Sequence, residues 1–118
     1  MKPLLSPVPG VLVLPAARRD ISETLAYLGG SQSPRAHGFA QGLATTLAHL
    51  AGQPLMGSPR KLNDERLRGL RVWPVAKFRS YSLFYRPFAS GNGIEVLRVL
   101  HTSRDSEAHL TFDETFAE

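Results

Sequence analysis

The chain has 118 residues, 42% of them hydrophobic and 20% charged, the make-up of one globular domain with room for a core but too short for two. It contains no cysteine, which excludes a disulfide framework, a thiolate metal site and a thiol nucleophile. A net charge of +4 and a pI near 10.0 permit an anionic partner without demanding one.

Residues 1–10 carry three prolines, which interrupt any apolar core of a signal peptide, and are read as an extended or disordered lead-in. No stretch approaches the roughly 18–20 apolar residues that span a bilayer, so no membrane association and a cytoplasmic location are expected. Val11 to Leu14, β-branched at Val11 and Val13, reads as a first strand. Pro15 then suits the first turn of a helix. Ala17, Ile21, Leu25 and Leu28 recur at helical spacing, and Gly29-Gly30 supplies the stop.

Ser33 followed by Pro34 is a second helix start, a capping side chain and then a proline at the first helical position. Phe39, Leu43, Leu47 and Leu50 form its stripe, with Ala40, Ala44, Ala48 and Ala51 alongside. A linker this short makes the two helices an antiparallel hairpin. From Gly52 to Gly69, Gly52, Pro54, Gly57 and Pro59 break helix repeatedly, leaving a connecting segment with one short turn near residues 63–67.

Three strands follow, Leu70 to Val75, Tyr81 to Arg86 and Ile94 to Leu100, the last two joined by a loop containing Gly91-Asn92-Gly93. Pro74 predicts an edge or strand end, since it donates nothing to a ladder. Simple alternation places Ile94, Val96, Arg98 and Leu100 on one face and Glu95, Leu97, Val99 and His101 on the other. Apolar residues on both faces predict a strand covered on both sides. The helical hairpin accounts for one cover, and a partner chain is expected to supply the other. The order β-α-α-β-β-β predicts an α+β fold, a helical hairpin on a small, mainly antiparallel sheet.

Charge is unevenly spread. Ten Lys and Arg stand against three acids between Arg60 and Arg104, whereas residues 106–118 form an acidic tail. Arginine inside apolar strands, at Arg71, Arg86 and Arg98, and His101 at the end of the last strand make that region the expected seat of chemistry. His37 and His49 are twelve residues apart, His109 stands alone, and no HExxH is present. No metal site and no cofactor are therefore expected.

The strings GLRVWPV from Gly69, YSLFYR from Tyr81, GIEVLRVLH from Gly93 and TSRD from Thr102, together with Asp20, Ile21 and Leu25 of the first helix, resemble the ParE branch of the ParE/RelE toxin superfamily. The resemblance covers residues 11–105 and implies a two-helix, small-sheet fold. It also implies the toxic half of a type II toxin–antitoxin module, neutralised by a cognate antitoxin. ParE-like members are associated with poisoning DNA gyrase, and RelE-like members with cutting messenger RNA on the ribosome. The gyrase reading comes first here; a ribosome-dependent endoribonuclease and a degenerate toxin that only binds its antitoxin are the alternatives. Arg98, Arg104 and His101 are the expected target contacts, and Trp73, Tyr85, Val96 and Leu100 the expected antitoxin contacts. If the chain cleaves RNA, Arg71, Arg86, Arg98 and His101, aided by Glu95, form the set that can hold phosphate and move protons.

Overall fold

A computed structural model describes residues 8–61 and 64–102. The elements run in the expected order with one added strand, β2: strand β1 (Val11–Val13), helix α1 (Pro15–Tyr27), helix α2 (Pro34–Gly52), then strands β2 (Ser58–Pro59), β3 (Arg71–Val75), β4 (Phe78–Pro87) and β5 (Ile94–His101). Single 3₁₀ turns at Gly30–Gln32 and Glu65–Leu67 complete the connections. The two-residue strand β2 lies inside the connecting segment, where Pro54 and Pro59 mask any strand pattern.

Pro15 opens α1, while Ser33 caps α2, its hydroxyl accepting from the Ala36 N–H and donating to the Leu28 carbonyl. That second bond joins the end of one helix to the start of the next. The sheet has the order β1-β5-β4-β3-β2, with β1 parallel to β5 and every other pair antiparallel. β2 pairs only with Arg71 and Val72, so Pro74 stands beyond its reach, as an edge proline must. No helix among the described residues is long and apolar enough to cross a membrane.

The helices pack on one sheet face. Phe39, Leu43, Leu47 and Leu50 of α2 and Ala17 and Ile21 of α1 join Leu83, Tyr85, Ile94, Val96 and Val99 in the main core. At the far end, Thr46 fastens α2 to the β3–β4 turn. Its hydroxyl donates to the Gly42 carbonyl and accepts from the Ala76 N–H. Gly42 admits this approach, since a Cβ there would lie 2.3 Å from the Ala76 carbonyl oxygen.

Two expectations for β5 are corrected. Tyr85 pairs with Val96 while Phe84 pairs with Arg98, so Leu97 is an extra residue and the strand bulges there. The bulge shifts the alternation, so Val99 joins Ile94 and Val96 in the main core while Leu97 and Leu100 pack on the opposite face with Phe84. That face is also covered within the chain. Leu67 and Leu70 of the connecting segment, Leu14 and Val72 complete the second cluster, and the Arg60 guanidinium lies 5.9 Å from the Phe84 ring centre. The segment that reads as a mere linker is the second layer.

Candidate functional site

The start of the connecting segment, Pro54 to Gly57, is bolted to the helix face of the sheet by Tyr85 and Arg71, neighbours across β3 and β4, before the segment passes to the opposite face. The Tyr85 hydroxyl donates to the Pro54 carbonyl at 2.8 Å and accepts from the Gly57 N–H at 2.8 Å. Arg71 Nη1 donates to the carbonyls of Leu55 and Gly57. Burial pushes the Tyr85 phenol above its ordinary range, against the opposing pull of the Gly57 N–H and the Arg71 charge. Tyr85→Phe leaves the Gly57 N–H and Pro54 carbonyl without this partner and is expected to cost about 1–3 kcal/mol at neutral pH. A phenol that ionises less readily in the folded state contributes stability that is full below its unfolded value of 10.0 and is lost as pH rises through the folded one. Denaturant unfolding should therefore show the parent losing more stability above about pH 10 than Tyr85→Phe does.

Arg98 is organised from the other end of the chain. After β1 ends, the Leu14 N–H donates to the Val96 carbonyl, and the chain turns into α1, which lies along the remaining edge of β5. There Asp20 accepts from Arg98 Nε at 2.7 Å, from Arg98 Nη2 at 2.9 Å and from the Val99 N–H at 3.0 Å. One carboxylate thus pairs a guanidinium in a fork and takes the place of a strand partner for the sheet edge. Arg98 is only 7% exposed and Asp20 only 8%. Asp20 sits within the buried stripe of α1, between Ala16, Ala17 and Thr24, and an acid at such a position is the sequence signal for a buried cationic partner.

The remaining arginine also has partners. Arg86 pairs with Glu95, directly across β4 and β5, and donates to the Arg66 carbonyl. Hence Arg71, Arg86 and Arg98, proposed together as a phosphate-binding set, are held by three separate groups of partners. His101 is exposed, its ring edge-on to Tyr81 at 5.1 Å. Arg104 and the acidic tail lie outside the described residues. Of the expected antitoxin contacts, Tyr85 and Val96 are buried in the main core and Leu100 in the second cluster. Trp73 is half-buried against the main core.

A cleft of about 380 Å³ opens between α1 and the end of β5. α1 contributes Asp20, Glu23, Thr24 and Tyr27, and the sheet contributes Tyr81, Val99, Leu100 and His101. Sequence periodicity missed Glu23 and Tyr27 because they lie off the apolar stripe of α1. Tyr81 is wedged edge-on between Phe39 and His101, so this aromatic wall is held from behind by the core. Among the described residues no group of three or more His, Cys, Asp or Glu is placed to hold a metal ion.

The profile of the family described as the ParE toxin of the type II toxin–antitoxin system parDE matches residues 11–106. The chain belongs to the ParE toxin family. Among solved structures, a chain of the RelBE2 toxin–antitoxin complex from Mycobacterium tuberculosis is similar to this ParE-family chain. It has 26% identity and a TM-score of 0.50, covering 77% of this chain and 94% of that one. A search of curated protein sequences finds no match. The match takes in β1, both helices and all of β5, including both members of the Asp20–Arg98 pair.

Proposed function

We propose that this ParE-family toxin arrests growth by binding and poisoning DNA gyrase, is held inactive by a cognate antitoxin, and acts in the cytoplasm without catalysing a reaction itself. The observation that carries the non-catalytic reading is the engagement of Arg71, Arg86 and Arg98, the arginines of the candidate cleavage set. RNA cleavage needs a guanidinium aimed at a phosphate and a proton-transfer group beside the same ribose. Here Arg98 forks onto Asp20, Arg86 meets Glu95, and Arg71 holds the carbonyls of the connecting segment. His101 alone of the proposed nuclease set is exposed beside a cleft.

The likeness to a chain of the RelBE2 complex, together with the exposed His101, favours a messenger endonuclease as the second reading. Induced expression without antitoxin separates the two. An early stop in DNA labelling with protein synthesis continuing, followed by inhibition of supercoiling by purified gyrase, is the expected result. An immediate stop in translation with messenger cleavage, abolished by His101→Ala, would replace it with the endonuclease. Unimpaired growth would leave only antitoxin binding.

A further inference from the structure

We propose that the cleft between α1 and the end of β5 receives one arginine or lysine side chain of the antitoxin. The proposal rests on the toxin–antitoxin reading but not on the identity of the cellular target. The cleft differs in character from the body around it. On a chain with a net charge of +4, the described residues of its lining include two carboxylates, two tyrosines and one histidine, and among them neither lysine nor arginine. Arg98 already satisfies Asp20, so the Glu23 carboxylate sets the charge that an incoming group meets.

Glu23 and Tyr27 are one helical turn apart and line the same cleft. Opposite them, Tyr81 is fixed by its ring contacts to Phe39 and His101. A carboxylate beside aromatic rings recognises a cation twice over, by ion pairing and by the negative face of the ring. The same carboxylates disfavour a phosphate, which makes this a poor seat for nucleic acid. A volume of about 380 Å³ accommodates a guanidinium with its alkyl stem. Tyr27, at the rim, is 83% exposed. An exposed tyrosine of this kind is the sort of anchor that protein interfaces cover, so the cation arrives on a polypeptide, not as a free small molecule. The antitoxin is the partner that must stay bound while the toxin is silent.

The test titrates the isotope-labelled full chain with N-acetyl-arginine methylamide, using the citrulline counterpart as the neutral isostere, and follows amide chemical shifts. Saturable shifts confined to α1 and the end of β5 are expected with arginine and not with citrulline. Glu23→Gln and Tyr27→Ala, both at exposed positions, should each weaken the response about two- to fivefold. In the co-expressed complex the same variants should loosen antitoxin binding while induced growth arrest persists. Equal responses to arginine and citrulline, or no response to either, would overturn the proposal. So would loss of growth arrest with antitoxin affinity intact, which would give the cleft to the target. A translation arrest in pulse labelling would dismiss gyrase and leave this titration unaffected.

Discussion

Asp20→Ala should destabilise the fold by about 3–5 kcal/mol, because it leaves the Arg98 guanidinium buried without its counter-charge. Both side chains are 8% exposed, so water cannot replace the lost partner in place. The same substitution removes the acceptor of the Val99 N–H, an edge group that β1 stops too early to pair. Two tests separate these contributions. Asp20→Asn keeps an oxygen for the Val99 N–H but loses the charge, and should fall between the parent and Asp20→Ala. The double variant Asp20→Leu, Arg98→Met removes both charges and should regain much of the loss, retaining a deficit of about 1–3 kcal/mol from the unpaired N–H. Equal stability of Asp20→Ala and the parent in denaturant unfolding would mean that the pair does not hold α1 to β5. The outcome also bears on function. An Arg98 variant that abolishes toxicity has to be measured for folding first, since loss of activity is the expected consequence of losing this pair.

Gly93→Ala is the second large effect, about 2–5 kcal/mol, because two independent costs meet at one residue. Its φ is +130°, a conformation that L side chains rarely adopt, and an added Cβ would lie 2.2 Å from the Gly10 carbonyl oxygen. That carbonyl cannot simply swing away, since it accepts the Ile94 N–H at 2.9 Å and so begins the parallel pairing of β1 with β5. Gly91, in the same loop, is the control. Its φ is +79° and a Cβ would meet nothing within 4 Å, so Gly91→Ala carries only the local backbone cost of about 1–2 kcal/mol. Thermal unfolding of the two variants side by side isolates the contact with Gly10. If Gly93→Ala proves no worse than Gly91→Ala, the junction of β1 and β5 yields more readily than its geometry implies.

The fold covers both faces of β5 without a partner chain. The apolar residues on both faces of β5 do call for two covers, but α1 and α2 provide the first and the chain's own connecting segment, through Leu67 and Leu70, the second. Partner binding is therefore not needed to bury Val96, Leu97 or Leu100. Among the described residues, Tyr27 and His101 are exposed at the rim of the α1–β5 cleft.

Both helix starts, the glycine-rich hairpin and the element order apart from β2 were legible in the sequence, because caps, turns and apolar periodicity act over a few residues, and the family was legible by the resemblance of its strings. Pro15, Ser33-Pro34 and Gly91-Asn92-Gly93 impose their conformations wherever the chain goes. Tertiary structure alone decided the rest. The β5 bulge exists only in the pairing with β4, and a two-residue alternation read along one strand carries no trace of it. Asp20 and Arg98 are separated by 78 residues, so no local spacing announces that they meet, although an acid on a buried helical stripe requires some partner. The cleft follows the same rule: its acid and aromatic walls come from α1 and from β4 and β5, and packing the helix along the sheet edge is what brings them together.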